Sequence, residues 1–301
     1  MDKQTHRGTL EMVAAMLISG TIGWFVLLSG LPVPDVVFWR CVFGALTLLL
    51  VCALLGHLRL GLLSRVTLML AVISGVAIVG NWLLLFASYS RASISIGTAV
   101  YNVQPFMLVI LAALFLGEKL TLQKLAWLSI SFLGMLAIVS AHGSAGQGGD
   151  DYLTGIAFAL GAAFLYAVAA LIIKTLKGVP PHLIALIQVS VGVLMLAPLA
   201  DFTRLPQGQQ TWSILLTLGL VHTGGMYVLL YGAIQKLPTA LTGALSFIYP
   251  IAAIGVDWVA FDHPLSVLQW LGVAAILLAA AGMQQGWGLY PRQIAGLSPK
   301  P

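Results

Sequence analysis

Apolar residues run through this chain in long stretches broken by short polar clusters, and ten of these stretches read as helices. They are Thr9–Ser29, Val36–Gly56, Thr67–Ser90, Ile94–Leu116, Leu122–Ala141, Leu153–Lys174, His182–Ala200, Trp212–Gln235, Thr239–Ala260 and Leu265–Gly286. Each is near the roughly 20 residues that an α-helix needs to cross a hydrocarbon core of about 30 Å. The connections are short, which sets neighbouring helices antiparallel. The longest, 142–151, is rich in glycine and ends in Asp150 and Asp151, as a linker between two halves would. The pattern predicts an all-α polytopic membrane protein. Its parts are a first unit at 1–143, a linker at 144–151, a second unit at 152–286 and a tail at 287–301.

Composition narrows the class further. The chain is 60% hydrophobic and 8% charged, where a soluble domain carries about 25% charged residues. Its mean hydropathy is +1.01. The net charge of +5 is scattered through short loops, so it reads as a topology signal and not as a nucleic-acid surface. With the N-terminus inside, cytoplasmic segments hold Lys3, Arg7, Arg59, Arg65, Lys119, Lys124, Lys174, Lys177, Lys236, Arg292 and Lys300, against Arg40, Arg91 and Arg204 outside. Both termini are therefore expected in the cytoplasm, with the chain in the cell inner membrane. The first apolar run follows Lys3 and Arg7, as in a signal peptide, but it is too long for one and nine runs follow it, so it is expected to stay. Cys41 and Cys52 lie about 16 Å apart along one helix and cannot bridge. No metal-ligand spacing is present, and no cofactor is expected.

The two halves repeat. Aligning Pro105 with Pro250 places Gly80 on Gly225, Arg91 on Lys236, Ala99 on Ala244 and Leu120 on Leu265. Each half has five spans, an odd number, so the second must be inverted relative to the first. The charges agree, since Arg91 falls outside and its counterpart Lys236 inside. Ten transmembrane helices arranged as two inverted five-helix repeats suit alternating access around a midplane site.

The stretch Phe115-Leu116-Gly117-Glu118-Lys119-Leu120-Thr121, followed by Trp127 and Gly134, resembles the signature of EamA-type members of the drug/metabolite transporter superfamily. Phe261-Asp262-His263-Pro264-Leu265-Ser266 repeats it in the second half, with His263 where the first half has Glu118. Arg40 also resembles an arginine common in the second span of that family. The resemblance covers nearly the whole chain and is closest to exporters of aromatic and other neutral amino acids. It implies amino-acid cargo and an outward direction.

Polar and aromatic groups deep in the spans are the candidate site. Trp82 and Phe86 lie one helical turn apart and align with Tyr227 and Tyr231; Tyr89 extends the first set. These rings could sandwich an apolar side chain, or simply pack. Thr98, Tyr101, Asn102 and Pro105 follow one face of the fourth span, with Gly243, Ser246, Phe247 and Pro250 as counterparts. Each proline frees a carbonyl one turn earlier, which makes Pro105 and Pro250 candidate hinges and Tyr101, Asn102 and Ser246 candidate cargo contacts. Asn81, Gln188, His222 and Tyr166 are further buried-polar candidates, equally suited to holding helices together. Arg40 either snorkels to the external headgroups or clamps a carboxylate at a cavity mouth. Asp257 and His222 are the candidate groups for coupling to protons.

A secondary carrier of an amino acid across the lipid bilayer accounts for these features. The chain carries no Walker A pattern, and an intramembrane enzyme would need an HExxH, a GxSxG or paired intramembrane aspartates, none of which is present. No filter loop suggests a channel. The rival cargo within the carrier class is a phosphorylated metabolite or nucleotide-sugar, which requires cations inside the cavity.

Overall fold

In a computed structural model the described residues are 3–58, 63–92, 97, 100–140, 150–200, 202, 205–261 and 266–288. They form helices and connecting turns, with no strand among them. In chain order these are α1 (Lys3–Gly20), α2 (Ile22–Ser29), α3 (Val33–Leu54), α4 (Arg65–Ala92), α5 (Gln104–Leu116), α6 (Leu122–Ser140) and α7 (Asp150–Thr175). There follow α8 (Pro181–Leu196), α9 (Gln209–Gly219), a π-helical turn (Leu220–Gly225), α10 (Met226–Lys236), α11 (Thr239–Ser246), α12 (Ile248–Phe261) and α13 (Val267–Gln285). Six helical segments are long and apolar enough to cross a membrane: Lys3–Val26, α3, Arg65–Ser88, Asp151–Thr175, Gln209–Lys236 and α13. Four shorter apolar segments, Gln104–Leu116, Leu122–Ile138, Pro181–Leu196 and Thr239–Ala253, complete the bundle.

Local chemistry sets the helix ends. Pro34, Pro181 and Pro105 stand in the first turns of α3, α8 and α5, where a missing N–H costs no hydrogen bond. Gly117 and Gly286 close α5 and α13 in the left-handed conformation that suits glycine. Ser266 and Gln269 exchange side-chain and backbone bonds in a capping box that starts α13.

Three expected spans are interrupted. The first breaks at Thr21, whose hydroxyl bonds the Ile18 carbonyl at 2.8 Å and so competes with the helix ladder. The fourth resumes only at α5, after Asn102 and Val103, and the ninth breaks between Ser246 and Ile248. Pro105 and Pro250 therefore do not kink continuous helices, as the sequence suggests; they sit in the opening turns of α5 and α12. Residues 144–149 of the expected linker and 289–301 of the expected tail lie outside the described residues, as do Thr98 and His263; Asp150 and Asp151 begin α7.

Helix pairings come in reciprocal sets. Numbering the ten apolar segments in order, the third packs on the sixth as the eighth does on the first, through α4 with α7 and α10 with α1. The third and seventh correspond to the eighth and second, and the fourth and sixth to the ninth and first. The second with the seventh, the fourth with the ninth and the fifth with the tenth complete the set. Between α6 and α13 the backbones nearly touch: a Cβ built on Gly272 would lie 2.5 Å from the Gly134 carbonyl oxygen. Around the outside, Leu54, Leu114, Phe115, Leu194 and Val259 are each more than two-thirds exposed. An outer surface this apolar suits hydrocarbon and not water.

Candidate functional site

A cavity of about 110 Å³ opens between the two halves of the chain. Its walls come from α1 and α2 (Met16, Ser19, Ile22, Gly23), α3 (Arg40), α4 (Asn81, Trp82, Leu85, Phe86), α7 (Tyr166), α10 (Met226, Tyr227, Leu230) and the broken stretches at Tyr101, Gln104, Ser246 and Tyr249. α6, α8 and α13 contribute nothing to this lining.

Arg40 anchors the site. It is 2% exposed, which corrects the snorkelling alternative raised by its position near a helix start. Its Nε donates to Thr223 Oγ1 at 2.7 Å and a terminal nitrogen donates to the His222 carbonyl at 3.3 Å. Both acceptors belong to the π-helical turn, where Thr223 in turn donates to the Leu218 carbonyl five residues back. A π turn leaves backbone carbonyls off the regular ladder, and this one offers them to a cation. Gly44 and Gly219 allow the approach: a Cβ on Gly44 would lie 2.6 Å from Thr223 Cγ2 and one on Gly219 2.2 Å from Phe43 Cβ. The guanidinium carbon stands 4.6 Å from the Trp82 ring centre and 5.8 Å from that of Tyr227. Ring quadrupoles stabilise a cation at that range. The ion pairs among the described residues involve Glu11 and Glu118, and none includes Arg40.

The aromatic candidates separate into two groups. Trp82 donates its indole N–H to the Tyr227 hydroxyl at 3.1 Å, with the rings edge to face. Phe86 lines the cavity; its repeat counterpart Tyr231 does not, and donates instead to the side-chain oxygen of Gln188, which donates to Ser74 at 2.7 Å. Tyr101 and Tyr166 meet edge to face at 6.2 Å on the wall. Asn81 reaches the cavity and also donates to the Ala162 carbonyl at 2.8 Å, tying α4 to α7. Asn102 is buried and is not part of the cavity lining. His222 is buried off the cavity, bonded to Thr21 at 2.7 Å and beside the Phe25 ring. The Asp257 side chain lies outside the described residues.

Gln104 went unnoticed in the sequence. Its side-chain oxygen is buried and has no hydrogen-bond partner, and the residue is part of the cavity lining. The available signal was its register, since it aligns with Tyr249 and both line the cavity.

At one end of the bundle, polar bonds converge on the connection between α10 and α11. Lys236 Nζ pairs with Glu11 at 2.5 Å, the Leu237 carbonyl accepts from Lys174 at 2.7 Å, and Thr239 donates to Glu118 at 2.7 Å. Lys174 also stands 3.3 Å from Glu118. Burial alone would push the Glu118 carboxyl up, but the Thr239 bond and the Lys174 ammonium outweigh it and hold it below the ordinary carboxylate range.

Comparison with known proteins gives one consistent answer. The sequence profile of the EamA-like transporter family matches residues 6–140 and again 153–284. A relative from Bacillus subtilis strain 168, named uncharacterized transporter YxxF, is 29% identical over 280 residues, covering 93% of this chain and 90% of its own. Protein RarD of Escherichia coli K12 is 26% identical, covering 73% and 75%. A solved crystal structure superposes with a TM-score of 0.78 at 19% identity, over 91% of this chain and 95% of that one, a likeness of fold alone. The chain belongs to the EamA-like transporter family and is a membrane protein of transporter type.

Proposed function

We propose that this member of the EamA-like transporter family is a secondary carrier of amino acids, aromatic and other neutral ones, across the inner membrane by alternating access. The observation that carries the reading is a buried cation, Arg40, the one charged side chain among the described residues of the cavity lining, set against two aromatic rings between the halves. An amino acid offers one carboxylate for the cation and a side chain for the rings. The twofold match of the family profile and the reciprocal helix pairings support ten spans in two inverted repeats. The excess of lysine and arginine on one side supports cytoplasmic termini, and the outward direction follows the resemblance to exporters. On this orientation the bonds around Lys236, Glu11, Lys174 and Glu118 close the cytoplasmic end. Rocking one repeat against the other about the breaks near Pro105 and Pro250 would reverse that closure. Asp257 is the remaining candidate for proton coupling, because His222 lies off the cavity.

Arg40 also gives a phosphorylated metabolite some claim on the site. One cation matches one carboxylate better than a phosphate's greater charge, and the remaining walls are aromatic or neutral. The test is uptake of labelled phenylalanine, threonine and methionine into proteoliposomes, with and without a proton gradient, beside protein-free vesicles. Saturable uptake weakened by both Trp82→Ala and Tyr227→Ala is expected. No uptake of any of the three by folded protein sinks the amino-acid assignment and moves the search to phosphorylated cargo.

A further inference from the structure

Several residues lining the cavity carry oxygens that can only accept, Gln104 and Ser246 among them. The Gln104 side-chain oxygen is buried and without a partner. Ser246 donates its own proton to the Gly243 carbonyl at 2.7 Å, so its hydroxyl has only lone pairs left to offer. In the same cavity stands the Arg40 guanidinium, which can only donate. A buried acceptor left empty is a standing cost, relieved when a donor arrives. The helix break supplies the geometry: with Pro105 in the opening turn of α5, Gln104 becomes the first residue of that helix and takes a place in the wall. The repeat has not duplicated this chemistry. Gln104 aligns with Tyr249 and Asn81 with Met226, so the amide groups come from the first half alone.

We infer that Gln104 is a specificity-determining residue that accepts a hydrogen bond from the cargo's ammonium while Arg40 holds its carboxylate, so that the site selects zwitterions over simple carboxylates. This rests on the amino-acid reading above and narrows it. An ammonium entering a cavity that already holds one cation needs an acceptor to offset the repulsion, and Gln104 with Ser246 provides it. A carboxylate without an amine would satisfy Arg40 and leave Gln104 empty.

The test is competition against labelled phenylalanine, bound to purified protein in lipid nanodiscs, by unlabelled phenylalanine and by its des-amino analogue 3-phenylpropionate. The wild type should prefer phenylalanine by about tenfold or more, as sites built around a substrate donor do. Gln104→Leu should shrink that ratio below about threefold by weakening phenylalanine and not 3-phenylpropionate. Gln104→Glu keeps an acceptor and should keep the preference, which covers the case of a leucine variant that does not fold. Equal competition in the wild type overturns the inference, as does a preference that Gln104→Leu leaves intact or Gln104→Glu abolishes. If phenylalanine does not bind at all, the amino-acid reading falls and takes this one with it. Binding without preference removes this one alone.

Discussion

The indole nitrogen of Trp82 donates to the hydroxyl of Tyr227 across an interval of 145 residues, and that interval is the register of the internal repeat. Aligned positions have thus become physical neighbours at the cavity wall. The same register relates Asn81 to Met226, Leu85 to Leu230, Tyr101 to Ser246 and Gln104 to Tyr249, and every one of these residues lines the cavity. A wall built from equivalent positions of two halves is what a site on a pseudo-twofold axis requires. The Arg40 guanidinium over both rings then sets one charge in an otherwise neutral enclosure.

That pair predicts a graded response. Tyr227→Phe keeps the ring and loses the acceptor for Trp82, a net change of about 0.5–1.5 kcal/mol. Trp82→Ala removes the larger ring and the nearer cation–π contact, and should cost more, about 2 kcal/mol or above. Apparent cargo affinity should therefore fall about threefold to tenfold in the first variant and beyond that in the second, measured by saturation of uptake. Equal effects would mean that the hydroxyl, and not the rings, holds Arg40 in place.

The bonds around the α10–α11 connection predict a pH dependence. The Glu118 carboxyl is held below its ordinary range, so its contribution to stability is present above the unfolded pKa and lost as pH falls through the folded one. With the unfolded value at about 4.3, wild type and Glu118→Gln should differ in Tm by a constant amount near neutrality. The difference should close only in acid, below about pH 4. Thermal unfolding in detergent across pH 3–8 checks this, and a gap that closes between pH 6 and 8 would point to a different group.

Glu11 and Lys236 offer an independent handle on the same end. They pair at 2.5 Å across the two halves, with side chains 13% and 20% exposed. Arg7 also reaches Glu11, but its own side chain is 75% exposed and contributes little. A double-mutant cycle on Glu11→Gln and Lys236→Met should return a coupling of about 1 kcal/mol, larger than a fully exposed pair gives. Additive effects would show that the pair holds nothing together.

The amino-acid sequence made much of this legible, because long apolar runs and a repeat register are properties of composition and spacing. Trp82, Tyr227 and Phe86 could be placed on cavity-facing positions from periodicity and alignment alone. Arg40 could not. It lies only about 10 Å along the helix from Val33, well within reach of a headgroup, so local distance favours the surface. What holds it inside is the π-helical turn, whose acceptors come from 182 and 183 residues away. Gln104 was hidden by its neighbour: Pro105 reads as a kink in a continuous helix, and only the actual break turns the preceding residue into part of a wall. Tyr231 shows the opposite error, since its register is right but Gln188 takes up its hydroxyl.

The contact between Gly134 and Gly272 separates stability from cargo recognition. α6 and α13 pack directly on one another and neither lines the cavity, so a fault there should reach the site only through loss of fold. A Cβ on Gly134 would lie 2.7 Å from the Gly272 carbonyl oxygen, and the reciprocal approach is 2.5 Å. Backbone has to move in either case, because the nearest atom is a carbonyl oxygen; the side chains of Ile276 and Ile138, at 3.0 and 2.9 Å, would have to yield as well. Gly272→Ala should therefore destabilise the protein by about 1–3 kcal/mol, with Gly134→Ala close behind. The fraction that remains folded should take up cargo with an unchanged half-saturation concentration, in contrast to the folded fraction of Trp82→Ala, which should shift that concentration. Thermal unfolding and uptake on the same preparations distinguish the two. A glycine variant that keeps its Tm but loses affinity would show that this helix pair moves with the cavity, and would make it part of the transport motion instead of a fixed brace.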